Sequence, residues 1–466
     1  MLISFYIKAF FENNPSCLPN IKYGEIVFII NCKTSVNYNK TMKKYISLAL
    51  TCLIAVSACG QGPKSSTDET GIVKATESKT IDQGEKPYVY QNAIKTGAEQ
   101  TEKYLPLLKG KRVGMVVNPT SIIGKETTVD SLLKVGVKIQ KVFGPEHGFR
   151  GNASAGVHVN DDVDAKTGIK AVSLYGKHST PTAEDLADID IMIFDIQDVG
   201  VRFYTYINTL QHVMEACAVN NKEVLILDRP NPNGYLIDGP ILDPQFKSGI
   251  GIQPIPIAHG LTVGEYAQML NGEGWLKDKV KCKINIIKVA NYNHDMEYTL
   301  PVKPSPNLNT QQSIMLYPAT CLFEGTYLNH GRGTMFPFTV VGAPYLKGKF
   351  DFSFTPKSIK GMSETPLFQD QVCYGLDLRN YDIAKLRKAK AINLSWIIEL
   401  YRASPKKADF FNSKLSKEMG TIERLVGVAD FRQQIIEGKS EAEIRASWQP
   451  GLNAYKTMRK KYLLYK

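Results

Sequence analysis

DIMIFDIQDVGVRFYTYI, residues 190–207, carries the fold in miniature. The apolar run DIMIF (190–194) reads as a short strand that ends at Asp195. Past Gly200 the period changes. Phe203, Ile207, Leu210, Met214 and Cys217 recur at spacings of three and four, the stripe of a helix facing a core, with the helix opening near Phe203. The same alternation extends on both sides. RVGMVV (112–117) is a strand that ends at Asn118-Pro119, and TTVDSLLKVG (127–136) is a helix with Thr127 and Asp130 at capping-box spacing, closed by Gly136. KIQKVF (138–143) and AVSLY (171–175) are further strands. Thr180-Pro181 opens another helix, with proline at its tolerated first position, and EVLIL (223–227) ends the series at Asp228-Arg229-Pro230.

Short apolar strands separated by helices call for a parallel sheet covered on both faces. The predicted fold class is α/β: a Rossmann-like, doubly wound parallel-sheet domain over residues 95–245. After about residue 245 the pattern changes. CKINIIKVA (282–290) and FTVVGAP (338–344) read as strands among Pro- and Gly-rich turns, with helices near 394–402 and from 421 onward. That predicts a smaller mixed α+β domain over 246–466, with an active-site cleft between the two.

The segment from Met42, MKKYISLALTCLIAVSACGQG, joins two lysines to an apolar run from Tyr45 to Val56 and then to small residues before Cys59. The run is too short to cross a bilayer core of ~30 Å, which needs about 20 residues, and it reads as a signal peptide over 42–59. Val-Ser-Ala-Cys resembles a lipobox, which makes Cys59 the expected lipidation site, and residues 60–94 read as a flexible tether. Residues 1–41 show no clear period and read as upstream translation ahead of a start at Met42. The expected location is the cell envelope, as a membrane-anchored lipoprotein. Removing 1–59 takes six basic and two acidic residues, so the formal +12 falls to +8. The C-terminal KTMRKKYLLYK holds much of that charge, which a solvated helix face explains and which makes no case for nucleic acid. Cys217, Cys282, Cys321 and Cys373 are widely spaced without a CxxC pair, so neither a disulfide framework nor a zinc site is indicated.

In doubly wound sheets, ligands bind beyond the carboxyl ends of the strands. Those positions here are Asn118, Glu146 with His147, Asp195 with Asp198, and Asp228 with Arg229. Four strand ends far apart in sequence deliver polar residues to one edge, which points to a single site. No G-x-G-x-x-G follows the first strand, where the chain reads NPTSIIG, and neither a P-loop nor a G-x-S-x-G elbow occurs. No cofactor is therefore implied.

GPEHGFRG (144–151), FDIQDVGVRFYTYI (194–207), LDRPNPNG (227–234), AHGLTVGEYA (258–267), PSPNLNT (304–310) and FEGTYLNHGRGT (323–334) stand in one order that resembles the NamZ-type exo-lytic β-N-acetylmuramidases, glycoside hydrolase family 171. The resemblance covers roughly residues 95–466. It implies a Rossmann-like domain, a smaller C-terminal domain, and release of terminal β-linked N-acetylmuramic acid from peptidoglycan fragments. The expected partners are muropeptides or muramic-acid disaccharides, and the membrane through the N-terminal lipid.

Glycoside hydrolysis needs a proton donor at the leaving oxygen and usually a second carboxylate. Glu146 is the candidate general acid, since glutamate is a poor turn residue and Gly148 shapes the turn around it. His147 either orients Glu146, transfers a proton itself, or is structural. Asp195 and Asp198 compete for the second carboxylate, with Glu324 as the candidate from the second domain. The lactyl carboxylate of muramic acid calls for a cation: Arg202, Arg229 or Arg332, with Arg150 beside the turn. Tyr204 and Tyr206 are candidates for stacking on sugar, and Asn118, Asp228, Asn231, His259 and Asn307 for polar recognition. Glu265, three residues after Thr262, reads as a helix cap. No second histidine stands at metal-ligand spacing from His147, so no metal is assigned. Two other classes fit the same residues: another envelope hydrolase, metal-assisted or not, and a non-catalytic muropeptide-binding lipoprotein.

Overall fold

The computed structural model describes residues 94–145, 148–150, 162–176, 178–412, 415 and 421–465. The expected segments 1–41 and 42–59, with Cys59, lie outside the described residues, as does the tether up to residue 93. A short helix, α1 (Thr101–Leu108), leads into the first strand, β1 (Arg112–Val117). A small hairpin of β2 (Ile122–Ile123) and β3 (Glu126–Thr127) then precedes α2 (Thr128–Lys134), whose first turn is capped by the Thr127 side chain accepting from the Asp130 N–H. The large sheet continues with β4 (Lys138–Gly144), β5 (Asp162–Val163), β6 (Lys170–Ser173), β7 (Ile191–Asp195), β8 (Glu223–Leu227) and β9 (Ile284–Ile287).

Its order is β5-β6-β4-β1-β7-β8-β9. All neighbours are parallel except β5, which pairs antiparallel with β6. The six parallel strands thus follow the doubly wound order, reversing direction between β1 and β7. Both faces are covered, as the uniformly apolar strands require. The expected stripe Phe203, Ile207, Leu210, Met214 and Cys217 is buried in the core on one face, and Tyr104, Leu108, Val129 and Leu132 are buried on the other.

Three boundaries differ from expectation. The helix after Asp195 begins at Tyr206 rather than Phe203 (Tyr206–Val219), because residues 202–204 turn first. The helix expected at Thr180-Pro181 is a single turn, Ala183–Leu186, capped by Thr182 and Asp185. More consequentially, the CKINIIKVA strand belongs to the first sheet and not to a second domain: Val224 to Leu227 pair with Ile284 to Ile287. The sheet domain therefore runs past residue 245. A solitary apolar stretch does not announce which sheet it will join.

The second half contains a three-stranded antiparallel sheet of β10 (Val340–Ala343), β11 (Ser353–Phe354) and β12 (Cys373–Asp377), in the order β10-β12-β11. Helices surround it, ending in the long Glu441–Arg459. The two halves are pinned by Arg202. Its guanidinium is 1 % exposed and donates to the carbonyls of Pro240 (3.1 Å) and Ile255 (2.6 Å) and, across to the second half, Leu425 (2.9 Å) and Val426 (2.7 Å). With no carboxylate beside it, burial lowers its pKa to about 9. Arg202 is consequently unavailable to a substrate carboxylate, which corrects its expected role. Arg202→Met should leave the carbonyls of Pro240, Leu425 and Val426 without this donor, Ile255 keeping the Leu242 N–H, and cost about 3 kcal/mol or more. Equilibrium unfolding in urea checks this, and an unchanged midpoint would refute the pinning role.

Candidate active site

The crevice at the carboxyl ends of β1 and β7 is where a doubly wound sheet ordinarily receives its ligand. Here the segments that follow β1, β7 and β8 bond to one another across it. Asn118 Oδ1 accepts from the N–H (2.9 Å) and hydroxyl (2.5 Å) of Thr120, turning the chain back after β1. The Ser121 hydroxyl donates to the Asp195 carbonyl, and Gln197 N–H donates to the Thr120 hydroxyl at 3.0 Å. Asp195 is wholly buried. One of its oxygens accepts from Thr128 Oγ1 (2.6 Å), the other from Arg229 Nε (2.7 Å), and Arg229 Nη2 reaches the Ile122 carbonyl at 3.0 Å. Each carboxylate oxygen thus has one side-chain donor, and the group is held away from bulk water. Asp195 and Arg229 anchor the hairpin, and Asn118 turns the chain through its Oδ1 while its buried Nδ2 has no partner among the described residues.

The neighbouring strand ends are tied in the same way. Asp228 accepts four donors: the N–H groups of Arg229 (3.0 Å) and Gly264 (2.9 Å) and the hydroxyls of Thr262 (2.7 Å) and Tyr465 (2.6 Å). Burial outweighs these donors and raises its carboxyl to about 6. Asn231 spends its amide on the Leu261 carbonyl and the Asn233 N–H. Asp198 is 3 % exposed, accepts from Gly200 N–H at 2.6 Å, and lies 3.5 Å from Nε2 of the fully buried His259. His259 Nδ1 accepts from Leu261 N–H, which puts the ring proton of the neutral imidazole on Nε2, facing Asp198. Tyr204 and Tyr206 pack edge to face at 4.9 Å, and the Tyr204 hydroxyl donates to the Pro304 carbonyl. The structure thus brings Asn118, Asp195, Asp198, Asp228, Arg229, Asn231 and His259 together in one buried polar layer, in which Asn118 Nδ2, Asp198 Oδ1 and His259 Nε2 have no hydrogen-bond partner among the described residues. Glu265 caps its helix, as its spacing with Thr262 predicts.

Glu146 and His147 lie outside the described residues. The described residues on either side of them are firmly held. Strand β4 ends at Gly144, Pro145 is buried, and Gly148, at φ +73°, donates its N–H to the Pro145 carbonyl at 2.9 Å. Gly144 is required by close approach, since a Cβ there would stand 2.7 Å from the Phe149 nitrogen. Arg150 does not face a sugar with a free fork. It binds Asp164 bidentately (2.7 Å to each oxygen) and stands 3.5 Å from Asp130, and Arg150 holds the Asp164 carboxyl down at about 2. Asp164 was not legible as its partner, because only the fold brings residues 130, 150 and 164 together.

The second half supplies a partly exposed polar group. Arg332, its side chain 20 % exposed, donates from Nη2 to Glu324 (2.8 Å) and from Nε to His330 Nε2 (2.9 Å). Burial and the adjacent guanidinium hold the His330 imidazole well below its usual pKa, hence neutral and able to accept. Asn307 is buried and donates to the Met362 carbonyl at 3.0 Å. Of the three cations proposed for a substrate carboxylate, Arg332 is the one with solvent access, and Glu324, 16 % exposed, is likewise the open one among Asp195, Asp198 and Glu324. Among the described residues, no three His, Cys, Asp or Glu side chains gather as a metal site.

Asp228 makes stability depend on pH. Its folded value, about 6, exceeds an unfolded value near 3.9, so the folded state holds the extra proton between them. The resulting stabilisation is complete below pH ~4 and is lost as pH rises through ~6, amounting to about 3 kcal/mol from a shift of about two units. The difference in unfolding free energy between wild type and Asp228→Asn, followed from pH 4 to 7, should carry that slope. A pH-independent difference would count against it.

Comparison with known proteins places these features in a family. Residues 113–312 match Exo-beta-N-acetylmuramidase NamZ, N-terminal, and residues 315–465 match its C-terminal counterpart. The division near residue 313 agrees with β9 lying in the large sheet. Over 378 residues the chain is 39 % identical to the peptidoglycan beta-N-acetylmuramidase NamZ of Bacillus subtilis (strain 168), spanning 78 % of this chain and 89 % of that one. Two crystal structures of DUF1343 family proteins from Bacteroides fragilis superpose with TM-scores of 0.73 and 0.68, at 42 % and 30 % identity, each covering 80 % of this chain and 99 % of its own. The chain belongs to the exo-β-N-acetylmuramidase NamZ family.

Proposed function

We propose that this glycosidase releases terminal β-linked N-acetylmuramic acid from peptidoglycan fragments, acting from the chain end. Family membership across nearly the whole described chain carries the reading. In the proposed reaction, Glu146 gives its proton to the leaving glycosidic oxygen, the bond to the anomeric carbon breaks, and water adds to that carbon. Arg332, oriented by Glu324 and His330, receives the lactyl carboxylate that distinguishes muramic acid from glucosamine. Partial exposure and two fixed partners support that assignment, since a guanidinium held in place loses less entropy on binding. The layer of Asp195, Asp228 and Arg229 keeps the floor rigid.

Glu146→Gln preserves shape and removes the proton. It should lower hydrolysis of a chromogenic muramic-acid glycoside by about 10²- to 10⁴-fold, and equal rates from the two forms would end the assignment. We further propose that Cys59 carries a lipid that holds the enzyme at a membrane of the cell envelope, on the motif Val-Ser-Ala-Cys. Cys59→Ser should move the protein from the membrane fraction to the soluble one on fractionation of the producing cells. Unchanged partitioning would sink the lipid anchor.

A further inference from the structure

Phe338 occupies a backbone conformation that its side chain disfavours. At φ +59° it lies in the left-handed region, where a bulky residue is an outlier. Among the described non-glycine residues with positive φ, most are Asn, Asp or Lys; the two aromatic ones are Phe338 and the half-buried Phe368. Such conformations persist where surroundings over-determine them, and they concentrate at binding and catalytic sites. The surroundings of Phe338 are specific. Its N–H donates to the His330 carbonyl at 2.8 Å, closing the loop that contains Arg332. Its ring is 2 % exposed and packs perpendicular to Tyr317 at 4.9 Å. The same ring also meets the His330 imidazole at 5.0 Å and the Arg332 guanidinium at 5.5 Å.

At an ordinary φ the side chain of Phe338, in the turn before β10, would point elsewhere, and its ring would leave His330 and Arg332. The rest of that loop is held independently: Asn329 bonds the Arg332 and Leu367 carbonyls, and its backbone pairs with Gly342. What Phe338 adds is a π face under the guanidinium, which attracts the cation and limits its rotation. We propose that Phe338 is a positioning residue for substrate selection, holding Arg332 and His330 so that the guanidinium keeps one orientation toward the lactyl carboxylate. The inference rests on the reading of Arg332 as the carboxylate-binding group.

The test measures kcat/KM on paired chromogenic β-glycosides of N-acetylmuramic acid and N-acetylglucosamine, which differ by the lactyl carboxylate. Phe338→Leu keeps apolar bulk but removes the π face. It should reduce the preference for the muramic-acid substrate about five- to tenfold through KM, leaving the glucosamine rate unchanged, while Phe338→Tyr retains the preference. A parallel fall on both substrates, or no change on either, overturns the positioning role. Arg332→Gln separates the two claims. If it leaves the preference intact, the carboxylate reading fails whatever Phe338 does; if it abolishes the preference and Phe338→Leu does not alter it, only the role of Phe338 fails. Should the leucine variant not fold, the Arg332 Nε–H signal of the wild-type protein in NMR decides. A single slowly exchanging resonance is expected, and a freely rotating, rapidly exchanging one overturns the proposal.

Discussion

The buried ion pair between Asp195 and Arg229 is the contact on which the sheet edge depends. It spans the carboxyl ends of adjacent strands β7 and β8, and it reaches the β2–β3 hairpin through the Ile122 carbonyl and α2 through Thr128. Both members are removed from water, which is costly for an ion pair unless every remaining hydrogen-bonding position is met. Here both carboxylate oxygens are met. Removing either member would leave the other as an uncompensated interior charge, so the pair is self-enforcing once formed. It specifies where the hairpin sits more than it adds to stability.

That arrangement shapes the carboxyl edge of the doubly wound sheet. The reversal between β1 and β7 creates a crevice that other chains of this topology leave open for a ligand. In this chain the loop after β1 lacks the glycines that would admit a pyrophosphate and instead folds back over the gap, fixed by Thr120, Ser121 and Gln197.

Sheet and helices were legible because their signals are local. Apolar runs of four to six residues and the stripe from Phe203 to Cys217 report burial directly, and the caps at Thr127 and Thr262 are visible as spacings. The location of polar strand ends at one edge follows from topology and was legible too. Their roles were not. Whether Asp195 faces water or Arg229, whether Arg202 meets a carboxylate or four carbonyls, and whether Arg150 is already bound to Asp164 depend on partners distant in sequence. A charged residue after a strand looks the same in sequence whether it serves a substrate or the protein. Strain is equally silent: FTVVGAP reads as an ordinary strand, and nothing in it marks Phe338 as left-handed.

The hydroxyl of Tyr465 meets Asp228 across 237 positions of chain, while Ile94 and Leu464 pack with Val289, Tyr292 and Tyr465 in one small cluster. Residues at opposite ends of the folded region therefore close the same strand edge. Such long loops are entropically slow to form, so the sheet's last parallel strand can be secured only late in folding, after both ends have found each other. Cutting the chain at Ile94 or removing Leu464 and Tyr465 should loosen the edge far more than their distance from it in sequence would suggest, which makes the two segments a single mechanical seam.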